Sequence, residues 1–282
     1  MTLPIRWRLI VDDKRDAAFN MAFDEATLEC AAKSHTATLR FFDWDRPATT
    51  IGYAIDARGS LDLHEAERRG VPVVRRVTGG GMVLHGCDLT YAITFPRDAM
   101  RPREARGSPH DARGDDKGLI ETYRTINRAF AAGLARFGVR SGLHDGTGPG
   151  GPPAGACFAR PTRYDLVVDG RKLIGNAQRR RGQWLLDHGS MPLDDGYRAL
   201  LPLLRDEAER AAFAEKSVTL ASLVEPLPSR AALIESIAAA FAELLGVRIE
   251  PGAATDEELA RADALAAAKY RIKDWNHDAK TV

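Results

Sequence analysis

From Arg75 to His85 the chain reads Arg75-Arg76-Val77-Thr78-Gly79-Gly80-Gly81-Met82-Val83-Leu84-His85, three adjacent glycines between apolar, β-rich flanks. Without Cβ atoms such a stretch bares backbone N–H groups on one surface and lets a ligand approach them closely. A loop that only reverses the chain rarely carries three glycines in a row, because each one adds to the entropy lost on folding. The run therefore reads as a ligand-cradling loop, with a plain hairpin or bulge as the competing reading. Two cations precede it and an imidazole follows it.

The surrounding pattern sets the fold class. Residues 71–77 and 89–95 (LTYAITF) read as strands on either side of the glycines. Residues 38–44 (TLRFFDW) and 49–53 (TTIGY) read as two more, joined by a turn at Pro47, and residues 61–69 as a helix closed by Gly70. Helical spacing of apolar residues marks 17–32, and a longer amphipathic helix runs from about 119 to 137, ended by Gly138. Asp169-Gly170 between the apolar runs 164–168 and 171–174 predicts a hairpin, and 183–189 extends the sheet. Helices are expected at 197–216, 229–245 and 255–270, with a short strand at 247–249 before Pro251. Two segments lack periodicity: 101–117, charged and expected to be exposed, mobile and solvated, and the Gly/Pro-rich 142–156, which delivers Cys157 and Phe158. The fold class is α/β (α+β), mixed sheets flanked by helices.

Composition bounds the setting. With 282 residues and 44% hydrophobic content, the chain fills one large α/β unit with a small appendage. Forty basic against thirty-nine acidic residues leave a net charge of +1, so no global field favours nucleic acid or an anionic membrane. No apolar run approaches the roughly 20 residues of a bilayer span, and the start MTLPIRWRLIVDD lacks a signal-peptide core, which predicts a cytoplasmic protein. Three cysteines, Cys30, Cys87 and Cys157, are odd in number and lack metal-ligand spacing. They fit a reducing compartment, where a special cysteine is chemical rather than structural.

Several motifs, in order along the chain, resemble those of the lipoate-protein ligase A and octanoyltransferase family, within the biotin and lipoate ligase superfamily. Asn20-Met21-Ala22-Phe23-Asp24-Glu25 is similar to its first-helix motif, and Arg40-Phe41-Phe42 through Gly52-Tyr53 to its first hairpin. Arg75-Arg76 through Tyr91 is similar to its arginine and triple-glycine signature, with Tyr91-Ala92 where Tyr-Ser is usual. Gly170-Arg171-Lys172-Leu173-Ile174-Gly175-Asn176-Ala177-Gln178 resembles its lysine motif, and His188-Gly189-Ser190 the strand after it. The resemblance spans roughly residues 15 to 225. It implies a biotin/lipoate ligase-like acyltransferase catalytic domain over 1–250 and a C-terminal helical tail over 251–282.

Family members bind an octanoyl or lipoyl group and pass it to a lysine on a small carrier domain. An acyl tail needs an apolar slot, which Gly79, Gly80 and Gly81 with Val83 and Leu84 can wall. The carbonyl needs N–H donors where charge develops, and amides near the glycines or beside Gly175 suit that. The resemblance adds Asn176 and Gln178 as substrate contacts and implies Lys172 as a fixed cation; on its residues alone, a lysine after Asp-Gly reads as a solvated edge charge. One branch of octanoyltransferases carries a cysteine followed by Phe ahead of the lysine motif, and Ala156-Cys157-Phe158 matches that placement. The implied reaction takes octanoyl from octanoyl-acyl carrier protein onto Cys157 as a thioester, then onto a lysine of a lipoyl-domain protein, either glycine cleavage H protein or 2-oxoacid dehydrogenase E2, without metal, nucleotide or other cofactor. Alternatives are an ATP-dependent lipoate-protein ligase, an octanoyl transferase between lipoyl-domain proteins, and a non-catalytic acyl-binding module.

Read on its own, Cys157 ends an irregular loop and so can meet substrate, although a lone cysteine is ordinarily an inert small hydrophobe. A thiol with a pKa of about 8.5 needs a nearby cation to act near neutrality, and Lys172 is the candidate. Cys87 follows His85 by two residues but reads as a bystander, and Cys30 as core or rim. His85 and His188 read equally as slot lining or as structural hydrogen-bonding residues. Of the two arginines, Arg75 is preferred over Arg76 for contact with a carrier's phosphopantetheine or acidic surface.

Overall fold

The computed structural model describes residues 5–100, 115–146, 157–159 and 161–279, with the side chains of 115–119 and of Cys157 outside that set. Chain order begins with β1 (Arg6–Arg15), α1 (Ala17–Ser34), β2 (Thr36–Trp44), β3 (Ala48–Ile51), α2 (Ala57–Ser60), α3 (Leu63–Arg68), β4 (Val73–Arg75), β5 (Val83–His85) and β6 (Asp88–Pro96). It continues through α4 (Asp115–Ala135), β7 (Gly142–Leu143), β8 (Leu166–Val168), β9 (Arg171–Arg181) and β10 (Trp184–Pro192). The last elements are α5 (Glu207–Lys216), α6 (Arg230–Leu245), β11 (Ile249–Pro251), α7 (Asp256–Leu265) and α8 (Lys273–Asp278).

Two sheets result. The larger has eight strands in the order β11-β1-β2-β6-β10-β9-β8-β7, and the smaller has three in the order β4-β3-β5. β1 pairs in parallel with both β2 and β11, and the remaining pairs of the large sheet are antiparallel. Helices α4 and α6 cover one face, where Tyr91, Ile93, Phe130 and Phe241 form the core. Helix α1 packs on the opposite face beneath α7. That sandwiching explains why α1 buries Phe19, Met21, Phe23, Leu28 and even Asn20 and Asp24, rather than a single stripe. It starts at Asp16, whose carboxylate accepts the Phe19 N–H at 2.9 Å.

Local signals were obeyed where their chemistry is strong. Asp169 and Gly170 both take positive φ, 49° and 72°, and join β8 to β9 as the Asp-Gly pair predicts. Helix α7 opens on a capping box between Thr255 and Glu258, and Gly246 ends α6 at φ 59°.

Four expectations change. The strands at 38–44 and 49–53 are no hairpin: β2 pairs with β1 and β6 in the large sheet, whereas β3 lies between β4 and β5 in the small one. The glycine run does not lead directly into β6. It joins β4 to the short β5, which pair with opposite edges of β3 in parallel and antiparallel sense. The helix expected at 197–216 divides into a 3-10 turn over Asp195–Leu203 and α5, since Pro202 supplies no N–H and Asp206 caps the new start. Helix α4 begins at Asp115, inside the expected loop 101–117. Residues 101–114 of that loop, and 147–156 of the Gly/Pro-rich segment, lie outside the described residues. Among the described residues no helix is long and apolar enough to cross a membrane.

Candidate functional site

A narrow slot opens where the two sheets face each other. The small sheet contributes Thr50, Val83 and His85 with Arg76 beside them, and the large sheet contributes Thr90, Gly175, Ala177, His188 and Ser190. Met21 from α1 and Phe42 from β2 close it with apolar surface. The register explains the wall. Ser190 stands opposite both Thr90 and Gly175, and His188 opposite Ala177, so these side chains share one face, and the small ones leave the space.

The glycine loop is shaped from within by Arg76. Its Nη2 donates to the carbonyls of Gly79 at 2.9 Å and Gly81 at 2.7 Å, and its Nε to Thr78 Oγ1 at 3.1 Å. Gly80 has φ 83°, and a Cβ on Gly52 would lie 2.0 Å from the Gly80 carbonyl oxygen, so the loop folds directly onto a fourth glycine.

Arg76 also feeds two matched relays. Nη1 donates to Thr50 Oγ1 at 3.3 Å; Thr50 meets His85 Nε2 at 2.9 Å, and His85 Nδ1 meets Asp88 Oδ2 at 2.8 Å. On the other branch, Thr78 meets His188 Nε2 at 2.6 Å and His188 Nδ1 meets Asp24 Oδ2 at 2.9 Å. Each threonine oxygen accepts from the guanidinium and so donates its proton to the imidazole, whose Nδ1–H then donates to the carboxylate. Burial, against the pull of Asp24, holds His188 below the usual histidine range, so it stays neutral. Burial alone would raise Asp88, but His85 and the hydroxyls of Thr90 and Ser190 hold its carboxyl below the usual range. Asp24 also takes Arg40 Nη1 at 2.9 Å, and Arg40 in turn lies over the Phe42 ring. Both nitrogens of each histidine are thereby engaged, which answers the open question about them: they line the slot and are also structural.

Lys172 is 2% exposed, and its Nζ lies 2.7 Å from Asp165 Oδ2 and 5.5 Å from the centre of the Phe158 ring. A bulge puts it there. β8 pairs Leu166 with Ile174 but Val167 with Lys172, which leaves Leu173 as the extra residue of β9. Ile174 consequently joins the core beneath α4, whereas Lys172 turns toward Phe158, which packs with Tyr197 and Phe213. Phe158 belongs to a 3-10 turn, Cys157–Ala159, seated against β9 and α5. The backbone of Cys157 is thus one residue from a ring that the lysine ammonium touches, although its side chain lies outside the described residues. The other cysteines are poor nucleophiles. Burial, followed by Asp194 and Asp88, pushes the Cys87 thiol up to about 12, and burial raises Cys30.

Three expected contacts are corrected. Arg75 does not face the slot. Its guanidinium donates to the carbonyls of Gly52, Tyr53, Ile55, Trp275 and Asn276, tying α8 to the small sheet. The arginine at the slot is Arg76, which sequence reasoning passed over because adjacent cations on a strand look alike. Asn176 and Gln178 lie on the opposite face of β9 from Ala177, and their amide groups donate to Asp187, Asn176 at 3.0 Å and Gln178 at 2.9 Å. Only the Asn176 backbone borders the slot. Val83, His85, Gly175 and His188 line the slot, and the glycine loop comes closest to it at Gly80, beside Ala177. Asp24, Thr50, Thr78 and Asp88 sat inside quoted motifs without being assigned a role, and Asp165 lay outside all of them. Among the described residues, no group of three or more His, Cys, Asp or Glu side chains is placed to hold a metal ion.

The chain matches the family model of the lipoyl protein ligase A/B catalytic domain over residues 16–242. It is 35% identical over 283 residues to octanoyltransferase LipM of Kyrpidia tusciae, covering 96% of this chain and 98% of that relative. Against octanoyltransferase LipM of Symbiobacterium thermophilum the identity is 37% over 283 residues, covering 96% and 97%. Among solved structures, lipoate-protein ligase A bound with ATP has a TM-score of 0.78 at 22% identity, covering 96% of this chain and 98% of that one. The bi-partite lipoate protein ligase of Thermoplasma acidophilum has a TM-score of 0.76 at 22% identity, covering 99% of both chains. At that identity the structures establish the shared fold, while the LipM relatives match nearly end to end. The chain belongs to the lipoyl protein ligase A/B catalytic-domain family, in its LipM octanoyltransferase branch.

Proposed function

We propose that this octanoyltransferase works through a thioester on Cys157, with octanoyl-acyl carrier protein as donor and a lysine of a lipoyl-domain protein as acceptor. The observation that carries this reading is the packing of the Cys157–Ala159 turn against β9, with the Phe158 ring 5.5 Å from the buried Lys172 ammonium. Cys157 Sγ attacks the donor thioester carbonyl; a new C–S bond forms, the bond to the phosphopantetheine sulfur breaks, and that thiol leaves with the proton. The acceptor lysine, as a neutral amine, then attacks the acyl-enzyme; the C–N bond forms, the C–S bond breaks, one amine proton passes to water and the Cys157 thiolate is restored. Lys172 is the cation that favours the thiolate before attack and the oxyanion during it. The acyl chain occupies the slot between the sheets, along the glycine loop, Val83 and Ala177. Because one thioester is exchanged for another, the first step needs neither nucleotide nor metal. Support for the acceptor class comes from the Thermoplasma relative, whose structure was determined in a study of that ligase and its E2 lipoyl domain.

The test is intact-mass measurement after incubation with octanoyl-acyl carrier protein, before any acceptor is added. An octanoyl increment on the wild type that is lost in Cys157→Ser is expected. A product that requires ATP and magnesium, with Cys157→Ser still active, would overturn the reading in favour of ligation.

A further inference from the structure

Residues 162–165 form a turn built around one carboxylate. Asp165 Oδ2 accepts the Thr162 N–H at 2.6 Å and the Thr162 hydroxyl at 2.9 Å, and the Asp165 N–H returns to the Thr162 carbonyl at 3.1 Å. Between them Tyr164 sits at φ 74°, a left-handed conformation that a bulky L-residue adopts only at a cost. Its neighbours enforce it. Asn127 of α4 donates to the Tyr164 carbonyl at 2.7 Å, the Tyr164 N–H donates to the His144 carbonyl at 2.8 Å, and the His144 N–H donates to the Asp165 carbonyl at 2.9 Å. A helix and a strand end thus clamp the turn, and the carboxylate it aims is the one that meets Lys172 Nζ at 2.7 Å, with the two side chains 5% and 2% exposed. An ammonium buried to this degree without a counter-charge gives up its proton by several pH units, and a neutral amine does not stabilise a thiolate.

We infer that Asp165 is the positioning residue of Lys172, keeping its nitrogen an ammonium and fixing it beside Phe158, so that Cys157 meets a permanent cation and not a general base. The inference rests on the proposed Cys157 thioester. The buried Tyr91 hydroxyl of β6 faces Asp165 electrostatically as well as Asp187, and its removal from water keeps it protonated. The Tyr197 hydroxyl lies 3.0 Å from Ser217 Oγ, Glu215 pairs with Lys216 at the end of α5, and Arg171 on β9 is exposed.

The experiment follows iodoacetamide modification of Cys157 in the full chain against pH, read by peptide mapping so that the high-pKa Cys87 and Cys30 do not interfere. The wild-type midpoint is expected below the free-thiol value of about 8.5. Asp165→Asn is expected to raise it by at least about one unit, a roughly tenfold slower reaction at pH 7, and to slow octanoyl-enzyme formation equally. Lys172→Ala gives the same shift, the double variant goes no further, and Asp165→Glu restores part of it. If Lys172→Ala moves the midpoint and Asp165→Asn does not, the role of Asp165 is overturned while the thioester reading stands. If the wild type titrates as a free thiol and neither variant moves it, the pairing of Cys157 with Lys172 itself falls. Should Asp165→Asn fail to fold, Thr162→Val removes only the hydroxyl donor. A smaller shift in the same direction is then expected, and an unchanged midpoint overturns the inference.

Discussion

Asp187 is wholly buried, and desolvation pushes its carboxyl up to about 7 against the hydrogen bonds of Gln178 and Asn176 that favour the charge. The same cluster holds Asn176 Oδ1 and Gln178 Oε1, buried acceptors without hydrogen-bond partners, and the Tyr91 hydroxyl, which sits near the carboxyl without meeting bonding geometry. A neutral Asp187 still accepts from both amides and escapes the cost of burying a charge. The folded carboxyl therefore holds a proton that the unfolded one has lost between about pH 4 and pH 7, and stability falls as pH rises through that window. The loss is on the order of 4 kcal/mol once the group is ionised, from a shift of about three units. Asp187→Asn, with an amide that can both donate and accept here, should flatten the dependence of Tm on pH between 5 and 8. Parallel wild-type and variant curves would contradict this account.

At the scale of elements, α8 is held by Arg75, the arginine preferred over Arg76 for contact with a carrier. Arg75 N–H donates to Asn276 Oδ1 at 2.9 Å, the Trp275 indole N–H donates to the Arg75 carbonyl at 2.8 Å, and the guanidinium caps the carbonyls of α8. Trp275 is buried against Tyr270 and lies 4.2 Å from Lys269 Nζ. Trp275→Ala should cost about 3–5 kcal/mol, lower Tm by roughly 10 °C, and open the chain near Arg271 to limited proteolysis. A Tm within about 2 °C of wild type would show that α8 does not stabilise the small sheet. The bulge at Leu173 is the second decisive element-level feature. Without it Lys172 would share a face with Ile174, Asn176 and Gln178, under α4 and away from Phe158.

Across the whole molecule, the slot exists because two sheets with different strand orders meet edge-on to the glycine loop, with α1 sealing one end. Its width is set by Gly175 and Ala177 on one side and by the loop on the other; a Cβ on Gly80 would stand 3.5 Å from Ala177 Cβ. Ala177→Leu should therefore slow acyl-enzyme formation from an octanoyl donor by about tenfold or more while sparing a butanoyl donor, as a few methylenes of lost space are worth about 1–3 kcal/mol each. Rapid-quench measurement with four-, six- and eight-carbon donors checks it. An equal loss for all three would place the acyl chain elsewhere.

Local chemistry was legible because it acts between near neighbours. The Asp169-Gly170 turn, the helix opening near Thr255 and the span of α1 follow from residue type and short spacing, whereas Lys172 stood out only through the family resemblance. Long-range pairing was not. Nothing in the runs 38–44 and 49–53 says that they enter different sheets, since strand partners are chosen by burial across the whole domain. The sequence by itself determined the family, the mixed α/β class and the lysine and glycine motifs. Only the tertiary structure decided that Arg76 rather than Arg75 shapes the loop, that Asn176 and Gln178 serve Asp187, and that Asp165 meets Lys172. Those outcomes depend on which face of a strand points where. One bulged residue, or one partner contributed from 200 positions away, as between Arg75 and Trp275, reverses that choice.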